Sequence, residues 1–303
     1  MTDPIARRTL LRAAAFLPLA AWPGVVRAQG RDRLIVRIER DIQSLDPAER
    51  PGAVEGNVIR ALCRNLVTFR RGHFEIENDA AETIRQADPL TIEFTLKPGL
   101  RFSGDFGAMT ADDVKFSYER FLVADPSGRK PAYAEDWAAL DHVEVTGELT
   151  GKLILKRPSS ALWKNALADV SGAIQSRAAA LRADRNPTTG LIGAGAYYLA
   201  EWVPNRRIVL RRHPDYLGAA PAFAEIVLRP VGDPTTAILG FKAGELDLTR
   251  IEPIDHHALI GQKGAKLIDL PSVNFVWLGI NLARPPFDDA RLRQAIRRGI
   301  DVA

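Results

Sequence analysis

Several residues of this 303-residue chain are of types that bind metals or nucleotides, but each group forms only part of the motif that such a site requires. Asp255, His256 and His257 are consecutive, and neighbouring side chains on a helix point about 100° apart, so the two imidazoles are poorly placed to share one metal ion. Gly193-Ala194-Gly195 has the first two glycines of a dinucleotide-binding turn, but Tyr198 stands where the third glycine belongs, and the segment leads into a predicted strand. These patterns favour neither a metal centre nor a nucleotide site.

The serine and arginine clusters are equally incomplete. Residues 172–176 lack the spacing of a nucleophile elbow, and no convincing Ser/His/Asp order accompanies them. Arg206-Arg207 and Arg211-Arg212 bracket a predicted strand without the interleaved aromatic side chains that nucleic-acid sites use, so they are expected to be solvated strand ends. We therefore expect no catalytic residues, no cofactor, no bound metal and no nucleic-acid partner. A hydrolase remains the enzyme alternative.

The N-terminus has the pattern of an export signal. Arg7-Arg8 precedes an apolar run over residues 13–26, and Val26-Arg27-Ala28 ends it with a small residue. Residues 1–28 are thus predicted to be a twin-arginine signal peptide, with a buried N-terminal helix as the alternative. No cysteine stands at the cleavage point to carry a lipid anchor, so a freely soluble periplasmic location is expected. Without these residues the net charge of +4 falls to about +1, so charge argues little for nucleic-acid or membrane partners.

The elements that must position any site are mixed α and β. Apolar or alternating runs predict strands, a four-residue apolar spacing predicts a helix over 54–66 that carries Cys63, and Phe69 and Phe74 flank a hairpin turn. Thr110 and Asp113 are expected to cap a further helix. A polar loop, 41–47, follows the first strand, and 184–190 is the most linker-like break. The expected strands are 34–38, 91–96, 153–155, 208–210 and 226–228.

Five strings together resemble one known family. Residues 97–121 hold a strand end, a short aromatic piece and the capped helix, and Leu45-Asp46-Pro47 precedes them. Three later strings, in 193–216, 241–248 and 279–296, follow in family order and spacing, although His213 stands where asparagine is usual. The sequence resembles the family 5 extracellular solute-binding proteins, which are dipeptide, oligopeptide and nickel receptors of ABC importers.

The resemblance implies a fold and a domain division. The fold class is α/β with mixed sheets, a type II periplasmic binding protein of the cluster with an extra subdomain. Lobe I is expected over 29–67 and 190–270, the inserted subdomain over 68–189, and the start of lobe II over 271–303. Some two hundred residues normally follow in the family, so the chain is expected to be a truncated or split product, or part of a longer receptor, with its second lobe mostly missing.

The resemblance also places candidate ligand contacts. The loop after the first strand supplies Asp41, Ile42 and Ser44, with a plain connecting loop as the alternative. Two pairs of aromatic residues are candidate walls of the ligand cleft: Tyr133 with Trp137, and Phe275 with Trp277. The alternative is that these side chains pack in the core. The ligand is expected to be a small peptide or similar solute, the partner an ABC permease at the inner membrane, and the protein a monomer. A nickel or metal-chelate receptor and a fragment that binds nothing are the alternatives.

Overall fold

The structure is a computed structural model. It describes residues 32–49, 52–124, 127–182, 190–261, 264–269 and 277–300. The predicted export signal and most of the predicted linker lie outside these residues. The chain divides into two compact units, Met1–Ile251 and Glu252–Ala303. The strands are β1 Arg33–Ile38, β2 Val67–Phe69, β3 Ile76–Asn78, β4 Ala81–Asp88, β5 Thr91–Leu96, β6 Leu140–Val145, β7 Thr150–Leu155, β8 Tyr197–Val203, β9 Arg207–Arg212 and β10 Glu225–Pro230. The helices are α1 Ala53–Leu62, α2 Ala111–Glu119, α3 Arg177–Ala180, α4 Pro234–Lys242, α5 Pro253–Leu259 and α6 Ala290–Gly299.

One mixed sheet is built from strands at both ends of the first unit, in the order β1-β10-β9-β8. β1 runs parallel to β10, and the other pairs are antiparallel. Its apolar face packs with the buried side of α1, where Val58, Ile59 and Leu62 are almost inaccessible. Since the C-terminal end of β1 leads straight into the loop at 39–49, this sheet and α1 fix both ends of that loop.

A second sheet is antiparallel, in the order β4-β5-β7-β6. β5 alternates between half-buried and buried residues, as the sequence predicts for a strand with one wet face, and β7 shows the same alternation. The buried side chains of Ile92, Phe94 and Leu153 pack into the larger apolar core together with α2. The predicted hairpin is also present, because β2 and β3 pair antiparallel around the turn at 70–75.

Helix α2 begins where the sequence predicts. The carboxylate of Asp113 accepts from the backbone N–H of Thr110 at 2.9 Å and from its hydroxyl at 3.0 Å, which satisfies a free donor at the helix start. Further along, Lys115 donates to the carbonyl of Val143 at 2.7 Å, and Glu119 accepts from the Val143 N–H at 2.8 Å. The helix therefore supplies hydrogen-bond partners to β6 that a further strand would otherwise supply.

Helix α1 ends four residues earlier than the predicted 54–66. Cys63 has extended backbone angles, and it lies buried just after the helix instead of on it. The reason is a close backbone crossing: Gly195 donates to the carbonyl of Leu62 at 2.8 Å. A Cβ at Gly195 would lie 2.4 Å from the carbonyl oxygen of Ala61, so only glycine lets the two backbones approach in this way. The glycines that failed as a nucleotide motif therefore have a packing role.

The second unit contains α5 and α6. Asp289 caps α6 by accepting from the backbone N–H of Arg291 at 2.8 Å. None of the α6 side chains is fully buried. Among the described residues, every helix falls short of the length and apolar character that crossing a bilayer would require.

Candidate functional site

The loop between β1 and α1, here called the β1–α1 loop (residues 39–49), is the first candidate for ligand contact. Asp41, the first predicted site residue, is half-buried, and its carboxylate is occupied by protein donors. It accepts from the indole N–H of Trp202 at 3.0 Å and from the backbone N–H of Asn205 at 2.7 Å. It also accepts from the N–H of Ile42 at 3.0 Å. Asp41 thus ties the loop to the turn between β8 and β9.

The other two predicted loop residues also have side chains that face the protein. Ile42 is buried in the apolar cluster beneath the first sheet. The hydroxyl of Ser44 accepts from the N–H of Asp46 at 3.1 Å, and the carboxylate of Asp46 accepts from the N–H of Ala48 at 2.9 Å. The carbonyl of Asp41 and the N–H of Ile42 are also bonded to protein side chains, whereas the neighbouring Gln43 is exposed.

Glu55, in the first turn of α1, organises the start of the loop. Its carboxylate accepts from both terminal nitrogens of Arg40, at 2.6 and 2.8 Å, and from the N–H of Gln43 at 3.1 Å. The N–H of Gly52 donates to it as well, at 3.1 Å. Burial acts to raise the pKa of this carboxyl, but the bonds from Arg40 and the backbone outweigh burial and lower the pKa. The group therefore stays ionised at neutral pH.

A third tether joins the loop to the layer that carries the second sheet. The guanidinium of Arg120, in the short 3₁₀ helix that follows α2, lies 2.7 Å from the carboxylate of Asp46. Both side chains are mostly buried, so this pair is shielded from solvent more than an ordinary surface ion pair. The loop is consequently held at its start, middle and end by three different elements.

The two aromatic candidates of the first unit have different surroundings. Tyr133 is half-buried and packs against both apolar clusters, so it joins the two sheet layers. Trp137 is fully buried, its ring lies parallel to that of Phe121 at 5.4 Å between centroids, and its indole N–H donates to Ser171 at 3.1 Å. The ring of Trp137 offers no surface to a ligand in this structure, which matches the core-packing alternative.

The aromatic candidates of the second unit are only partly described. Phe275 lies outside the described residues. Trp277 is 73% exposed and lies outside any strand, whereas the sequence predicts that Phe275 and Trp277 share one strand face. The exposed indole of Trp277 remains available to a ligand or to another protein surface.

Two histidines have partners within the protein, while the side chain of His257 lies outside the described residues. His213 is buried, and its Nδ1 lies 3.2 Å from the carbonyl oxygen of Gly195, so it donates there. His256 pairs with Asp269 through Nε2 at 3.2 Å. Burial, with help from the charge of Asp79, raises the pKa of the Cys63 thiol to about 12, which makes it a poor nucleophile.

The described residues hold no cluster that suits a metal ion: nowhere do three His, Cys, Asp or Glu side chains converge. Three of the four arginines around β9 lie near carboxylates: Arg207 is 2.8 Å from Glu201, Arg211 is 3.3 Å from Glu225 and Arg212 is 3.6 Å from Asp32. These pairs agree with the expected solvated strand ends.

Sequence reasoning missed the residues that hold the loop: Arg40, Glu55 and Trp202. Glu55 had one sequence signal, because an acidic residue three positions after a helix N-cap can reach back to the N-cap N–H. Trp202 had none, since 161 residues separate it from Asp41. Such a contact depends on the order of strands in the first sheet, in which β10 and β9 lie between β1 and β8.

Comparison with known proteins gives a consistent result. Residues 75–303 match the family described as "Bacterial extracellular solute-binding proteins, family 5 Middle". The probable D,D-dipeptide-binding periplasmic protein DdpA of Escherichia coli K12 is 26% identical over 97% of this chain and 57% of its own length. This chain therefore spans little more than half the length of that relative.

Two solved structures resemble the chain over most of its length. The binding protein MoaA of A. tumefaciens R10, in complex with mannopinic acid, is 26% identical with a TM-score of 0.71, over 90% of this chain and 56% of that one. A dipeptide-binding protein of Pseudoalteromonas sp. SM9913, in complex with Met-Leu, is 19% identical with a TM-score of 0.78, over 89% of this chain and 57% of that one. The latter similarity bears on the fold alone.

Proposed function

Because this chain belongs to the family 5 bacterial extracellular solute-binding proteins, whose fold is that of type II periplasmic binding proteins, we propose that it captures short peptides or similar small polar solutes for an ABC permease. The observation that carries the proposal is the family match over residues 75–303. The fixed β1–α1 loop supports it, because a rigid polar loop loses little conformational entropy when a ligand binds.

The proposed mode of binding relies on main-chain hydrogen bonds and aromatic surfaces. In this proposal the β1–α1 loop, with Asp41, Ile42 and Ser44, supplies polar contacts, while Tyr133, Phe275 and Trp277 supply aromatic walls. Such walls accept varied side chains, because apolar area and π-faces do not require one particular partner. Trp137 is left out of this set because its ring is buried in the core. We also propose the domain division expected from the sequence, with lobe I over 29–67 and 190–270, the inserted subdomain over 68–189 and the start of lobe II over 271–303.

The proposed location is the bacterial periplasm, reached through the export signal in residues 1–28. The twin arginines Arg7-Arg8 favour the route that carries folded proteins. The protein would act as a monomer and would pass its ligand to the permease without a covalent step. A receptor for a nickel chelate is the second candidate from the family resemblance, and a fragment that binds no solute is the third.

Isolation from the periplasm tests the location and the ligand together. We expect the mature chain to begin near Gln29, and native mass spectrometry to detect a co-purified small solute of peptide mass. N-terminal sequencing of the same sample checks the cleavage position. Stable protein that keeps Met1 and stays in the cytoplasm would contradict the export proposal, and a co-purified nickel chelate would overturn the peptide proposal.

A further inference from the structure

We propose that Glu55 is a positioning residue for ligand binding: it touches no ligand, and it holds the β1–α1 loop in one shape. This inference rests on the proposed function, because it assigns a purpose to the shape of that loop. The residue lies on α1, outside the loop, and its side chain is 98% buried, with a relative exposure of 2%.

The geometry around Glu55 joins three segments through one carboxylate. Arg40, at the start of the loop, donates two nearly parallel bonds to its two oxygens. The N–H of Gln43 donates to the same oxygen as Arg40 Nη1, and the N–H of Gly52 donates to the other oxygen. Two-point binding of a guanidinium fixes direction as well as distance, so the side chain of Arg40 is oriented by this contact.

Arg40, oriented by Glu55, also bonds to the backbone of the loop. Its Nη1 also donates to the carbonyl oxygen of Asp41 at 3.0 Å. The peptide group between Asp41 and Ile42 therefore has its carbonyl held by Arg40 and its N–H held by the Asp41 carboxylate. The N–H of Gln43 is held directly by Glu55. Three successive backbone groups of the proposed ligand-binding loop thus depend on charged side chains for their orientation.

Removal of the Glu55 charge would release these groups without removing the loop from the protein. Gln43 would lose a charged acceptor, and the Arg40 guanidinium would be left beside the positive end of α1, where a cation is unfavourable. The other tethers would remain, because Asp41 still binds Trp202 and Asn205, and Asp46 still binds Arg120. The expected consequence is a loop that stays attached but samples several shapes.

The test compares Glu55→Gln with a matched control, Glu77→Gln, at an exposed glutamate on β3. For Glu55→Gln we expect affinity for a pool of di- to pentapeptides to fall about tenfold, the size of one lost hydrogen bond to a charged group. The melting temperature should fall below that of the control, because a buried charged contact is lost, so binding is measured at a temperature where circular dichroism shows both variants to be folded. Amide exchange over residues 40–48, measured without peptide, should become about tenfold faster for the same reason. Arg40→Ala should weaken binding in a similar way and should also lower the melting temperature, because it leaves the buried Glu55 carboxylate without its partner. The double variant should weaken binding little further, because both residues act through one contact.

Each outcome bears on a different claim. If the wild-type chain binds no peptide of the pool, the proposed function fails, and the exchange measurement alone decides whether Glu55 holds the loop. If the peptides bind but affinity and exchange are the same in Glu55→Gln and Glu77→Gln, the inference is wrong. Faster exchange with unchanged affinity would also overturn it, because the loop shape would then be irrelevant to binding.

Discussion

Trp137→Ala is expected to lower the free energy of unfolding by about 3–5 kcal/mol, the usual cost of removing a large aromatic side chain from a core. The ring of Trp137 lies 4.5 Å from that of Tyr118 and 5.4 Å from that of Phe121, between centroids. Alanine would leave a cavity among these rings and would remove the donor to Ser171. Urea unfolding followed by circular dichroism measures the change.

Trp277→Ala is the matched control for this prediction, because Trp277 is 73% exposed. Its effect on stability should stay within about 0.5 kcal/mol, as for ordinary surface substitutions. If Trp137→Ala were no more destabilising than this control, and instead abolished peptide binding, the ring would belong to the ligand site as the sequence first suggested. Comparable unfolding midpoints for the two variants would be enough to reject core packing.

Arg64→Ala should be similarly costly, by about 3–5 kcal/mol, because it leaves a buried carboxylate without its partner. Arg64 is 7% exposed and lies 2.6 Å from Asp79. It also donates to the carbonyls of Ala194 and Leu217, and its guanidinium lies over the ring of Tyr216. One side chain therefore joins four segments of the first unit, and chemical denaturation should show the loss.

The stability lost in Arg64→Ala should depend on pH, because the substitution changes the pKa of Asp79. Burial already raises the pKa of Asp79, although the charge of Arg64 and the N–H of Asn65 act to lower it. Without Arg64 the folded-state pKa should rise further, so the folded state binds a proton more tightly than the unfolded chain. The difference in unfolding free energy between wild type and Arg64→Ala should therefore be largest at neutral pH. It should shrink as the pH falls through the raised pKa of Asp79.

A double variant separates the buried pair from general disruption. Arg64→Met with Asp79→Leu removes both charges, and apolar replacement of a buried ion pair is often close to neutral. We expect it to recover part of the stability lost in Arg64→Ala. A loss below about 1 kcal/mol in Arg64→Ala itself, the range of exposed ion pairs, would contradict this account of the buried pair.

Local patterns in the sequence predict the local parts of this fold correctly. The alternation in β5, the turn between β2 and β3, and the Thr110–Asp113 cap of α2 each depend on residues a few positions apart. The predicted end of α1 was wrong, because the glycine segment that crosses it comes about 130 residues later in the chain, as the contact from Arg64 to Ala194 illustrates. Periodicity within a helix carries no information about such a crossing.

The candidate site was predictable only as a region. The polar loop after β1 follows from sequence, but the direction of its side chains does not. Asp41 is a predicted contact residue of this loop, and only the structure shows that Trp202 and Asn205 bond to its carboxylate. Trp137 illustrates the same limit, because an aromatic residue after a helix has the same sequence pattern whether it lines a cleft or fills a core.

Calorimetric titration of the mature chain with individual di- to pentapeptides, and in parallel with a nickel chelate, tests the central claim most directly. The account predicts that at least one peptide binds with a Kd on the order of 1 μM or tighter, equivalent to about −8 kcal/mol, that peptides with different side chains bind similarly, and that the nickel chelate gives no binding heat. Binding of the nickel chelate in the absence of any peptide binding would contradict the peptide assignment, and no heat from any of these solutes would contradict the receptor function itself.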